Sequence, residues 1–516
     1  MDIGHVHCWL LSASLVASVE AEWLDCLVMR RKSYLSTLLF ALLPFFLVAE
    51  EKPNILWIVA DDLSPDLGCY GDKDAKTPNI DRLASESVIF RNAYATAPVC
   101  SASRTAFITG MYQTTTGGHH HDTRLKEPLA SPFRPVTEYF REAGYWVSNL
   151  SAQNWSKWGK THYNFIFEAG EMYDDPDWTG RAEGQPFFAQ VQIKEPHRTF
   201  VISGRSGEGL TIPPFYPEHP VIRADWANYH ATIEVLDEKV GLVLDRLEAE
   251  GELENTIIFF FGDHGRPHVR GKQWLYEEGL RVPLMVRWPG VVEPGSEDER
   301  LVSLIDLVPT MLAASGMEVP EHLQGQDLFS KNWKDRDAIF AARDRCGDAW
   351  DRIRSVRTED FKLIRNFYPE RSFSQHSGYK KAGYPALTVM AVMHEQGRLT
   401  GRQEEWFADT RPEYELYDLK KDPNELNNLA DDPEYAAKLQ ELNGRIEQWM
   451  EETADRGGEP EGNEALAKTI KEEKWASYEK KMKSRGLSGS SSDREFLNWW
   501  KKELGVDPGG KTPKSP

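Results

Sequence analysis

Residues 54–60 (Asn-Ile-Leu-Trp-Ile-Val-Ala) carry no polar side chain after the first and end on Asp61-Asp62. A strand with one wet face alternates apolar and polar residues. A run that is apolar throughout is covered on both faces, as in a parallel sheet. Residues 256–261 repeat the pattern and, after Gly262, end on Asp263-His264. Residues 146–150 and 186–193 read as further strands, and 283–288 as the next. Between them, 79–86 reads as a short helix with Asp81 in its first turn. The clearest helix is 228–250, where Ile233, Leu236, Val240, Leu244 and Leu247 recur at three and four before Gly251 stops it. Strands alternating with helices predict an α/β fold: a large, mostly parallel sheet sandwiched by helices. Ligands of such sheets gather beyond the carboxyl ends of the strands. The two acidic pairs, far apart in sequence, are therefore expected to meet in space.

The pattern changes near residue 336. Residues 351–366 and 414–419 read as strands of an antiparallel sheet, and 432–455 as an amphipathic helix with Leu439, Leu442, Ile446 and Met450 on one face. The expected organisation is a catalytic domain at 53–336, a smaller C-terminal α+β subdomain at 337–455, and a charged, partly helical tail at 456–516. In that tail 488–492 reads as flexible and 495–504 as a docked helix. Upstream, Met29-Arg30-Arg31-Lys32 is a basic start, 35–48 an apolar run, and Leu47-Val48-Ala49 suits signal-peptidase cleavage. Residues 29–49 are thus expected to be a signal peptide, with 1–28 a dispensable or non-native extension, and the protein periplasmic or secreted. The apolar run is too short for a stable membrane span. A net charge of −20 argues against nucleic acid as a partner. The 5 cysteines form no metal spacing and no disulfide framework; Cys69 and Cys346 either pair or remain free thiols.

Asp61, Asp62 and Asp263 are hard oxygen donors suited to Ca²⁺ or Mg²⁺, although an Asp after a strand can also cap a helix. Cys100-Ser101-Ala102-Ser103-Arg104 stands before a helix-like apolar segment. A thiolate there would be favoured by unpaired helix N–H groups.

The pattern C-x-A-S-R followed by Thr109-Gly110 resembles the signature of the formylglycine-dependent sulfatases, members of the alkaline-phosphatase-like superfamily. Residues 54–71 resemble that family's opening strand and metal loop, Thr77 to Ala84 its T-P-N-I-D-x-L-A helix, and Gly159-Lys160-Thr161-His162 its G-K-x-H loop. Pro196-His197 resembles its second histidine, Gly262-Asp263-His264-Gly265 with Gly271-Lys272 its second metal loop, and 422–430 its C-terminal D-P-x-E-x-x-N-L-A. The resemblance implies that a maturation enzyme oxidises Cys100 to formylglycine, whose hydrate attacks sulfur and later expels sulfate. It implies Asp61, Asp62, Asp263, His264 and the modified Cys100 as ligands of Ca²⁺, or Mg²⁺. It implies Arg104 and Lys160 at the hydrated aldehyde and the sulfate, His162 in breakdown of the intermediate, and His197 and Lys272 at the sulfate and leaving oxygen. Two positions depart from many members: His264 stands where Asn is common, and Ala102 where Pro is.

The opening loop resembles iduronate sulfatases, and the short Asp263-to-Lys272 spacing resembles heparan N-sulfatases. Both imply a sulfated polysaccharide or oligosaccharide as substrate. His121 and Arg124, in the loop after the signature helix, are expected to contact a sugar carboxylate or hydroxyl, and Arg343 to supply a further subsite. The alternatives are a phosphonate or phosphate ester hydrolase of the same superfamily, and an inactive glycan-binding relative whose Cys100 is never oxidised.

Overall fold

Every residue of strand β1 (Asn54–Ala60) is buried, and its side chains feed two cores. Leu56, Ile58 and Ala60 point to one face, and Ile55, Trp57 and Val59 to the other. This period of two across a doubly covered strand is why no polar position interrupts the run. The computed structural model describes residues 52–506. The expected signal peptide and the 1–28 extension, with Cys8 and Cys26, lie outside them. Residues 53–506 form one compact unit.

The main sheet has eight strands in the order β4-β3-β5-β1-β6-β7-β2-β8. They are β1, β2 (Val88–Tyr94), β3 (Trp146–Ser151), β4 (Asn154–Trp158), β5 (Phe187–Ile193), β6 (Thr256–Gly262), β7 (Arg281–Arg287) and β8 (Ser296–Ser303). The central run β3-β5-β1-β6 is parallel, and β2 pairs parallel with β8. Strand β7, expected as the next strand of a parallel series, runs antiparallel to both β6 and β2. A second, antiparallel sheet contains β9 (Ile339–Arg343), β10 (Ile353–Arg357), β11 (Phe361–Asn366) and β12 (Tyr414–Asp418). The stretch 351–366, which reads as one strand, is a hairpin broken where Thr358 and Phe361 bond each other.

Helices cover both faces of the main sheet. The labelled ones are α1 (Pro78–Ser85), α2 (Cys100–Thr109), α3 (Pro220–Ala249), α4 (Ala436–Glu452), α5 (Glu464–Ser484) and α6 (Asp493–Glu503). Helix α3 places Ile233, Leu236, Val240 and Leu247 in the core with Ile58. It begins at Pro220, eight residues before the expected start at 228, because His219 Nδ1 accepts from the Val221 amide and proline suits the first turn. Helix α2 lies in the opposite core and is buried along its whole length. It ends at Gly110, whose φ of 67° is left-handed and where a Cβ would meet Val308 at 3.0 Å. The Trp57 ring contacts Phe188 of β5, Phe261 of β6 and Phe107 of α2 edge-on at 5.3–5.6 Å. One side chain thus ties together the elements that carry the site described below.

In the tail, 488–492 is a turn closed by Ser488–Ser491 bonds, and Ser492 with Glu495 forms a capping box for α6. Cys69 and Cys346 are free thiols. Among the described residues no helix is long and apolar enough to cross a membrane.

Candidate active site

The register of β1 on β6 sets Ala60 beside Gly262, so Asp61-Asp62 and Asp263-His264 leave the sheet side by side. The Asp263 amide donates to Ala60 O at 3.0 Å, and the Asp61 amide to Ile193 O of β5 at 3.1 Å. Asp62 turns with φ 64°, a conformation aspartate tolerates, and its amide donates to Asp263 Oδ1 at 2.9 Å. Gly262 permits the close approach: a Cβ there would lie 2.5 Å from Leu63 O. Beyond β5, His197 brings Nε2 to 3.8 Å from Asp62 Oδ2. Lys160, beyond β4, sets Nζ 2.7 Å from both Asp61 oxygens.

Cys100 is the first residue of α2 and follows Val99, which offers no side-chain cap. Its Sγ therefore sits at the electropositive helix start. It lies 3.3 Å from His264 Nε2, 3.2 Å from Lys272 Nζ and 3.7 Å from Asp62 Oδ1. Lys272 also donates to both Asp62 oxygens at 2.8 and 2.9 Å. One helical turn after Cys100, Arg104 donates to Asp263 (2.9 Å), Asp61 (3.2 Å) and Gln192 (2.7 Å). All three of its nitrogens are taken and it does not line the cavity. Where the resemblance implied contact with sulfate, the geometry has Arg104 holding two carboxylates in place.

Burial pushes the Cys100 thiol up, but Lys160, Lys272 and His264 outweigh it and hold it well below the ordinary thiol range. Asp61 and Asp62 are likewise held low against burial, chiefly by Lys160 and Lys272 respectively. Burial and the Asp61 charge push Asp263 up to about 7. Burial works against a charged His264, yet Asp263 and Asp62 raise it to about 10. Three buried carboxylates are thus crowded at one point, held there by Arg104, Lys160 and Lys272. Asp61, Asp62 and Asp263 offer oxygens within 4.8 Å of one another, and Cys100, Asp263 and His264 form an overlapping group. An oxygen-rich, water-poor donor set of this kind fits a hard divalent cation. His264 adds one nitrogen, and a contact of Nδ1 with Gly265 O at 2.9 Å leaves Nε2 facing the cluster.

A cavity of about 310 Å³ opens above this floor. Cys100, His121, Lys160, His162, His197 and Lys272 line it. His162 Nε2 is 2.5 Å from Asp122 Oδ1, so Asp122 orients it. Two expected contacts are elsewhere. Arg124 is turned to Glu473 at the surface. Arg343 is buried in an ion pair with Asp351 at 3.1 Å, which Arg411 shares. Neither lines the cavity. In their place the outer wall carries Asp122, Tyr379, Lys474, Tyr478 and Lys481. Asp122 lies between His121 and Arg124 in the loop after the signature helix; the others belong to segments with no motif in the sequence.

Residues 53–317 match the sulfatase family, and 262–378 match the family described as N-sulphoglucosamine sulphohydrolase, C-terminal. An ulvan-active sulfatase of Formosa agariphila is 34% identical over 467 residues, covering 80% of this chain and 77% of that protein. Human N-sulphoglucosamine sulphohydrolase is 29% identical over 468 residues, covering 78% of this chain and 90% of that one. A structure solved in complex with its substrate D-glucosamine-2-N,6-O-disulfate shares the fold with a TM-score of 0.58 at 21% identity, covering 80% of this chain and 100% of that one. On the family match and the 34% relative, the chain belongs to the sulfatases, the hydrolases of sulfuric esters.

Proposed function

We propose that this protein is an exported, metal-dependent sulfatase that removes O- or N-sulfate from sulfated polysaccharides or oligosaccharides, using formylglycine made from Cys100. The observation that carries the reading is the position of Cys100: at a helix start, within 3.3 Å of Lys272 and His264, above three clustered carboxylates. Relatives active on ulvan and on N-sulphoglucosamine support a glycan substrate. The basic start and apolar run of 29–49 support export.

The hydrated aldehyde of an oxidised residue 100 supplies an oxygen nucleophile for sulfur. A divalent cation held by Asp61, Asp62, Asp263 and His264, with Ca²⁺ favoured by the carboxylates, supplies Lewis-acid polarisation of a sulfate oxygen. The chain's own residues do the rest. Lys160 and Lys272 flank position 100 and hold the sulfate oxygens as charge develops on them. Their presence also lets a chain of net charge −20 accept an anion. His162, oriented by Asp122, takes up the proton released at position 100. His197 and Lys272 stand at the cavity wall, where a proton is delivered to the leaving oxygen. Arg104 keeps Asp61 and Asp263 in register. Cys100 is 2% exposed, so the maturation enzyme must reach it before the chain closes over it.

The test pairs mass spectrometry of the peptide containing Cys100 with a substrate panel on the secreted protein. The expected result is an aldehyde in place of the thiol, release of sulfate from 4-nitrophenyl sulfate and from ulvan or heparan fragments, and loss of turnover in EDTA. An active protein with an intact thiol, or one that cleaves only 4-nitrophenyl phosphate, would overturn the reading.

A further inference from the structure

We propose that α5 (Glu464–Ser484) and the segment leading into it build a cleft for the sugars next to the sulfated one, so that the preferred substrate is an oligosaccharide or polymer and not a free monosaccharide. This rests on the sulfatase reading and adds the part of the chain that binds the rest of the glycan. Both family matches end before α5, at residues 317 and 378. A second cavity, about 1070 Å³, adjoins the catalytic one, and Asp348 lines both. It exceeds the ordinary range of ligand sites, about 300–1,000 Å³, whereas the catalytic cavity alone is near its lower end.

One face of α5 spans the two cavities. Lys471 and Trp475 line the larger; Lys474, Tyr478 and Lys481 line the catalytic one. Spacings of three and four put these side chains in one stripe. Trp475 is 45% exposed, yet its ring is braced by His376 at 5.8 Å and Tyr478 at 5.5 Å. A rigid, half-open indole suits the apolar face of a sugar ring. Lys471 and Lys481 have no carboxylate within 4.0 Å among the described residues, in a chain where most other cations at the site are paired. They leave positive charge for sulfate or carboxylate groups on neighbouring sugars.

The wall is fixed to the catalytic loop. Glu461 accepts from the amides of Arg124 and Leu125 and pairs with Arg345, and Lys474 reaches Asp122 at 3.3 Å. A glycan bound along α5 is therefore held in register with position 100, and remote binding energy is available to the reacting sulfate.

The experiment compares kcat/KM for 4-nitrophenyl sulfate with kcat/KM for ulvan and heparan sulfate tetrasaccharides, in the native enzyme, Trp475→Ala and Trp475→Phe. The native enzyme should prefer one tetrasaccharide. Trp475→Ala should lower that preference at least about tenfold, and Trp475→Phe, which keeps a ring, should restore most of it. An unchanged preference in Trp475→Ala overturns the cleft. A native enzyme that cleaves nitrophenyl sulfate but prefers neither tetrasaccharide also overturns it, while leaving the sulfatase reading intact. One that cleaves no sulfate ester overturns both.

Discussion

On the cavity floor Asp62, Asp263 and His264 are fully buried, and each is tied to the ends of β1 and β6 by backbone geometry that neighbouring strands fix. On the outer wall Lys474 is about a third exposed and Trp475 nearly half, and both stand on α5. The floor concentrates charge where water is scarce, so each group there is costly to leave unpaired. The wall keeps its groups near solvent, where a lost contact is replaced by water at small cost. Chemistry and recognition are thus placed in two different dielectric environments, and substitutions in the two should differ in kind.

The largest effect is expected at the point where the floor meets substrate. Cys100→Ala should lower turnover of any sulfate ester by at least about four orders of magnitude, as removal of an essential nucleophile does. The thermal midpoint should move little, because residue 100 lines the cavity and is not packed into either core of the main sheet. Residual turnover within tenfold of native would remove Cys100 from the mechanism.

The next prediction sets the two regions against each other. Lys272→Met strands the fully buried Asp62 without its closest cation and should cost about 3–5 kcal/mol in chelator. Lys474→Met removes a partly exposed pair with Asp122 and should cost less than about 1 kcal/mol. Denaturant melts of both variants in the same buffer decide it. Equal losses would show that floor and wall do not differ electrostatically.

The same contrast explains what the sequence made legible. Strands β1 and β6 declare themselves because burial on both faces leaves a local, period-free apolar run, and their shared edge follows from parallel pairing. Strand β8 (Ser-Glu-Asp-Glu-Arg-Leu-Val-Ser) does not, since it lies at the sheet edge and is charged for half its length. Helix α5 buries only Ile470, Tyr478 and Met482 of its 21 residues, too few for an amphipathic stripe, so the segment reads as a charged tail. Arg343 illustrates the same limit. In sequence it neighbours Asp344 and Arg345, but its partner is Asp351, shared with Arg411. Which cation faces a substrate and which is spent on a buried carboxylate depends on such distant pairings.

The wall also has a buried latch, and its effect should be modest and pH-dependent. Burial alone would raise the Glu461 carboxyl, but Arg345 and the amides of Leu125 and Arg124 outweigh it and hold the group below the ordinary glutamate range. A carboxylate depressed in the folded state adds stability that is complete above the unfolded pKa, about 4.3, and that is lost as pH falls through the folded value. Glu461→Gln should therefore cost about 1–2 kcal/mol at pH 7, and the gap between native and variant should close as pH drops below about 4. Chemical denaturation at pH 7, 5 and 3.5 measures it. A gap that stays constant with pH would mean that the wall is held by packing and not by this charge. The floor would then be the only part of the site whose geometry depends on ionisation.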